Sequence, residues 1–414
     1  MKNIPNRWLI AASAILFNVM LGIVYSWSIF TRPLMDTFGW SKTTATLPFT
    51  VYIVVFAPLT ILAGSLQDRF GPRRVAIVGG AMIGVGFFLA SLVETIPSPA
   101  WLCFSYGVIS GAGCGMGYAT TVPVARKWFP DKPGLAVGLV VMGVGLSALL
   151  FAPLGRYFIE VGGVVKAFLG IGAILFLFSI LFASMLRNPP EGWHPEGWHP
   201  STSGMSRVVL RDCGPRVVLR SPEFWMMWLT YALMSAVGLM VVGHIAAYSE
   251  EAGLAPMYAA LSASAFALCN ALGRPVSGLM YDRMGAARTM LILFIIQGVM
   301  MLSFPHLARS MAGIYLAVAI IGFNYGANFT IFPSLTAECF GIKNLGVNYG
   351  MVFSAFGLGG TLGPIIGSLV YDATRSYTAA FTTAAFLVLL AVVITLVFLA
   401  RYRRLKRECG TPVP

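Results

Sequence analysis

The sequence predicts an all-α polytopic membrane protein, with twelve transmembrane helices in two six-helix pseudo-repeats. Three observations predict it. Of 414 residues, 57% are hydrophobic and 10% charged, where a soluble domain carries roughly 25% charged residues. Twelve stretches reach the ~20 mostly apolar residues a spanning helix needs. A motif near the end of the second stretch also returns near the end of the eighth.

The stretches are 8–30, 44–66, 73–93, 100–123, 134–155, 165–186, 222–247, 257–281, 287–305, 311–335, 345–370 and 377–400. The first is too long for the apolar core of a signal peptide and lacks a small-residue cleavage site, so it is expected to be retained. The connection between the sixth and seventh is the longest. It sets the expected organisation: an N-terminal six-helix half at 1–186, a cytoplasmic connecting loop at 187–221, and a C-terminal half with a basic cytoplasmic tail at 222–414. The net charge of +13 is a topology signal. Arg32, Lys42, Arg156, Lys166, Arg309 and Arg375 fall on one side, Arg274 falls inside a helix, and the rest of the 28 basic residues fall on the other side. Basic residues favour the cytoplasm, so both termini are expected there, in a bacterial inner membrane. Basic side chains at segment ends form no patch interleaved with aromatics, which argues against nucleic acid. Six scattered cysteines show no metal spacing. The tandem EGWHPEGWHP at 191–200 brings His194 and His199 close in sequence, and a solvated loop explains them better than a metal does.

The halves repeat at a nearly constant offset. GSLQDRFGPRR at 64–74 answers GLMYDRMGAAR at 278–288, and Phe129 answers Phe340, Gly134 answers Gly346 and Pro153 answers Pro364. Parallel six-helix repeats are an architecture of secondary transporters.

Function is most legible at CNALGRPVSG, 269–278, inside the eighth apolar stretch. A charged side chain at the bilayer centre costs at least ~2.5–3.5 kcal/mol, and arginine cannot escape by losing its proton. Arg274 is therefore expected to face a wet cavity or an anion, and the anion it suits is the carboxylate of a solute. Asn270 precedes it by one helical turn and shares its face. Tyr325 with Phe329, and Phe353 in the next helix, are expected to add a polar partner and an apolar wall. Tyr118 is the repeat mate of Phe329, and Tyr25 and Ser28 lie three apart in the first helix.

Asp68-Arg69 and Asp282-Arg283 mark two short turns, each followed by glycine. An aspartate there can accept from helix N-terminal amides. The arginines can pair with carboxylates across a bundle interface. Contacts of that kind make a gate when they form in one state and break in the other. Tyr377, at the start of the twelfth helix, is a candidate for an outer lid.

These paired loops resemble those of the major facilitator superfamily, and the resemblance spans all twelve helices. NVMLGIVYSWSIF at 18–30 and GRPVSG in the eighth helix look like the monocarboxylate transporters and the related oxalate:formate antiporters. The resemblance implies that Arg274 is the substrate ligand, with Pro275 and Gly278 completing the branch motif, and it implies proton symport. Two departures bear on coupling. Animal monocarboxylate transporters have an aspartate where Asn270 stands, and a lysine in the first helix, which here has none. Oxalate transporters carry a second basic residue in the eleventh helix, where Phe356 stands. One buried cation suits one carboxylate.

The expected function is a secondary active transporter of small monocarboxylates of the lactate and pyruvate type, working as a monomer by alternating access with a proton. Anion exchange of the oxalate:formate type is the alternative, and a non-cycling carboxylate sensor ranks below it. The partners are the acid, H+ and the bilayer. No cofactor, metal or enzymatic activity is expected.

Overall fold

The computed structural model describes residues 6–190, 192–198, 212–251 and 254–408. His199, and with it half of the histidine pair, lies outside the described residues, as do the side chains of Lys406 and Arg407.

Proline and glycine punctuate the chain where a helix must start or turn. Pro72, Pro133, Pro222 and Pro256 each open a helix, a position where the missing N–H is no loss. Gly71 and Gly285 end the second and eighth helices at φ 83° and 81°, a region that glycine enters at little cost. Their ψ values, 160° and 161°, also agree, so the repeated motif folds into the same turn twice.

Twelve long helices run through the described residues. α1 is Arg7–Leu21, followed by a 3-10 turn at Gly22–Ser26 and a helical continuation at Ser28–Phe38. α2 is Lys42–Phe70 and α3 is Pro72–Ala90. α4 is Gly111–Trp128, entered through a π-helical run at Cys103–Ser110. Pro133–Met185 is a 53-residue helical run broken at Gly162 and Gly163, the latter at φ 71°. It is therefore two helices, α5 over 133–161 and α6 over 164–185. The rest are α7 (Pro222–Glu251), α8 (Pro256–Met284), α9 (Ala286–Leu307), α10 (Met311–Phe340), α11 (Leu345–Thr374) and α12 (Tyr377–Glu408).

Nine stretches of the described residues are long and apolar enough to cross a membrane, and one of them holds both α5 and α6. α4 and α8 fall short of that mark. α4 is glycine-rich and carries Arg126 and Lys127, and α8 carries Asn270, Arg274, Asp282 and Arg283.

The described residues form two compact units. The first comprises those within Met1–Pro130, Leu139–Trp193 and Leu345–Met351, and the second those within Asp131–Gly138, His194–Asn344 and Val352–Pro414. In the first, α4 packs against α1, α2 and α3. In the second, α8 packs on α10, and α12 on α7 and α9. Glycines set the α8–α10 spacing. A Cβ on Gly273 would strike the Phe323 carbonyl, and one on Gly326 the Asn270 carbonyl.

One expectation about the elements is corrected. The first apolar stretch is not a single α-helix, because the backbone tightens at Gly22, which lies against the Val144 carbonyl with no room for a side chain.

Candidate functional site: a buried guanidinium on α8

Arg274 is 1% exposed. Its backbone is held firmly. Thr330 Oγ1 and Ser277 Oγ donate to its carbonyl at 2.9 and 3.0 Å, and a Cβ on Gly138 would land on that carbonyl oxygen. The next residue is Pro275, which has no N–H to return to the preceding turn. The side chain thus leaves a helix segment whose position is fixed on two sides.

The guanidinium makes two contacts that suit an anion receptor. Nη2 donates to Asn270 Oδ1 at 3.3 Å, and Cζ lies 4.6 Å from the centroid of the Phe329 ring. A cation over a ring face gains about 0.5–2 kcal/mol. Asn270 and Phe329 are both neutral. Tyr325 stands edge-on to Phe329, at 5.5 Å and 90°. Phe356 meets that ring at 5.4 Å and stacks on Phe353 at 5.2 Å. Arg274, Asn270, Tyr325, Phe329 and Phe353 thus gather in the second unit, and Phe356 supplies an aromatic wall. Tyr231 of α7, not singled out in the sequence, joins this wall within 6.5 Å of Phe329.

Tyr118, Tyr25 and Ser28 belong to the first unit. The Tyr118 hydroxyl lies 3.4 Å from that of Tyr349. Tyr25 sits half-buried in the 3-10 turn and Ser28 is exposed at the start of the next helical piece, so the two do not share a regular α-helical turn. The repeat itself marks the chemistry. Thr60 stands in α2 where Arg274 stands in α8, and Gly350 lies on the Thr60 carbonyl as Gly138 lies on that of Arg274. The two copies keep the same backbone approach and differ in the side chain that carries charge.

The repeated aspartates both hold helix N-termini. Asp282 accepts from the N–H groups of Gly134 and Leu135 at 2.8 Å each. Asp68 accepts from those of Gly346 and Val347 at 3.3 and 3.0 Å. Each satisfies two amides that α5 or α11 leaves without an intrahelical partner, and each places negative charge at the positive end of a helix dipole. Gly278 packs on Gly134, and Gly64 on Gly346, so close that a Cβ on any of the four would meet the facing backbone. Arg69 and Arg283 are exposed, with Arg69 lying over Phe70 at 5.1 Å. Asp282→Ala is expected to destabilise this contact by about 1–2 kcal/mol, seen as faster amide exchange at Gly134 and Leu135 and a lower Tm. The Asp68→Ala effect should be smaller, since its bonds are longer. Unchanged exchange at both residues in Asp282→Ala would contradict the capping role.

The model for the family described as Major Facilitator Superfamily matches residues 8–347 and 245–410. The chain belongs to the major facilitator superfamily. Its relatives include an oxalate:formate antiporter of Oxalobacter formigenes, 30% identical over 92% of this chain and 88% of that one. Monocarboxylate transporter 13 of Bos taurus is 25% identical over 91% and 85%. Among solved structures, the major facilitator transporter FucP in its outward conformation superposes with a TM-score of 0.72 at 15% identity, covering 94% of this chain and 98% of that one. That likeness concerns the fold. The chain is thus an integral membrane transporter related to carriers of small organic anions.

Two further features of this facilitator were missed or only partly seen in the sequence. Glu338 falls just beyond the tenth apolar stretch, which ends at 335. α10 instead runs on to Phe340, and Glu338 is 4% exposed. Its carboxylate accepts from Tyr281 Oη of α8 at 2.5 Å and Tyr402 Oη of α12 at 2.8 Å. A buried carboxylate therefore exists in the bundle, bonded to the tyrosine that precedes Asp282. The only sequence signal is that Tyr281 precedes Asp282. At the other end of the helices, Tyr377 stacks on Tyr371 at 4.1 Å, and its ring lies 5.7 Å from that of His244. His244 Nε2 lies 3.3 Å from the Pro364 carbonyl oxygen.

Proposed function

We propose that this facilitator is a secondary carrier of small monocarboxylates, of the lactate and pyruvate type, moved by alternating access together with a proton. One observation carries the reading: a buried guanidinium seated on a phenylalanine face and bonded to a neutral amide, with aromatic rings as the nearest wall. The carboxylate pairs with Arg274, Asn270 and Tyr325 orient it, and Phe329 and Phe353 enclose its short body. Tyr118, Tyr25 and Ser28 serve as further substrate ligands. Asp68 and Asp282, with Arg69 and Arg283, serve as the cytoplasmic gate, and Tyr377 as part of the outer lid. The halves at 1–186 and 222–414 rock about this centre as a monomer in the bacterial inner membrane, with 187–221 and both termini in the cytoplasm.

Anion exchange is the second reading. The antiporter from Oxalobacter formigenes is more similar to this chain than the bovine monocarboxylate transporter is. Asn270 cannot titrate, and no aspartate stands beside Arg274 in its helix face. Proteoliposomes separate the two. With no acid inside, an inward proton gradient is expected to drive lactate accumulation. Uptake that needs a preloaded carboxylate and ignores the gradient would establish exchange and remove the proton from the mechanism.

A further inference from the structure

Most glycines of the second unit set helix spacing, because what lies over them is backbone. Gly273 lies on Phe323, Gly322 on Phe266 and Gly326 on Asn270. Gly238 of α7 differs. A Cβ built there would fall on Cδ2, Cε2 and Cγ of the Tyr325 ring, which therefore rests directly on the Gly238 backbone. The ring has little freedom elsewhere. Phe266 of α8 flanks it at 5.8 Å, and Phe329 meets it edge-on at 5.5 Å. Phe329 in turn carries the Arg274 guanidinium.

We propose that Gly238 is a positioning residue that sets the length of acid the Arg274 site accepts. The inference rests on Arg274 being the carboxylate ligand. A methyl group at 238 cannot coexist with the ring where it stands. Interiors are packed so densely that a single added carbon is felt, so the ring must move away from α7. Phe266 and Phe329 flank the ring and Phe329 carries the guanidinium, so the shift is passed into the wall beside Arg274. The atoms the added carbon meets belong to Tyr325 alone, so the Arg274 and Asn270 contacts to the carboxylate stay. The loss therefore falls on the body of the substrate, and grows with each added carbon.

The test is uptake of acetate, lactate and 2-hydroxybutyrate into proteoliposomes by wild type and Gly238→Ala. The variant is expected to raise KM for the four-carbon acid by about tenfold more than for acetate, the scale of discrimination one methylene gives in an apolar pocket, with kcat for acetate kept. In a Tyr325→Ala background, Gly238→Ala should change nothing further. A ratio of KM values unchanged in Gly238→Ala would overturn the inference, as would an equal shift in both backgrounds. If Gly238→Ala alone fails to reach the membrane, recovery in the Tyr325→Ala background supports the proposal and continued loss counts against it. A wild type that takes up none of the three acids would overturn the Arg274 reading, and this inference with it. A wild type that takes up all three while the variant keeps their ratio would overturn the inference alone.

Discussion

Arg274→Ala is expected to abolish uptake while the protein still folds and inserts. The truncation leaves the backbone bonds of this residue to Thr330 and Ser277 in place. For the substrate the loss is severe, because truncating one partner of a buried charge pair costs about 2–5 kcal/mol, or at least about thirtyfold in affinity. Arg274→Lys should restore only part of the activity. An ammonium is a point charge without the planar fork that meets a carboxylate through two bonds, and it spreads less well over the Phe329 ring. Uptake is to be normalised to carrier recovered in the membrane. Near-normal uptake by Arg274→Ala would remove this residue from the mechanism.

The second large effect is discrimination by charge number. Lactate and pyruvate should compete for uptake far better than oxalate or succinate. A second carboxylate would enter a space walled by Phe329, Phe353 and Phe356, and an unpaired anion there costs several kcal/mol, about a hundredfold or more in competition. Phe356 is the decisive position, since it stacks on Phe353 and meets Phe329 edge-on. Phe356→Lys would place an ammonium in the same wall. It should bring oxalate into competition and weaken lactate, which leaves the new cation unpaired. Oxalate competing as well as lactate in the wild type would show that counting buried cations misjudges the site.

Much of this was legible because bilayer physics is coarse. A spanning helix needs a long apolar run, so the hydropathy pattern predicts α2, α3 and α7 through α12 closely. A single arginine in such a run stands out for the same reason, and the i,i+4 rule places Asn270 beside it. What escaped is whatever depends on which helix meets which. The pairing of Asp68 with the amides of residues 346 and 347 joins residues 278 and 279 apart in the chain, and that of Asp282 with those of 134 and 135 residues 148 and 147 apart. The repeat hints at the symmetry of that arrangement and is silent about the partners. Glu338 escaped because an acid just past an apolar run reads as solvent-facing, and only the tyrosines of α8 and α12 make its burial tolerable. The break at Gly22 escaped because apolar residues continue through it, whereas the junction at Gly162–Gly163 falls between the fifth and sixth stretches, where the sequence places it. Gly238 is mute in the sequence, one glycine among 45, and gains meaning only from the ring that lies on it.

Ligand-induced thermal stabilisation of the purified protein tests the central claim most directly, with lactate set against its neutral isostere lactamide, in wild type and in Arg274→Ala. The account predicts that lactate raises the Tm of the wild type, that lactamide does not, and that neither stabilises Arg274→Ala. Equal stabilisation of the wild type by lactamide, or undiminished stabilisation of Arg274→Ala by lactate, would contradict it.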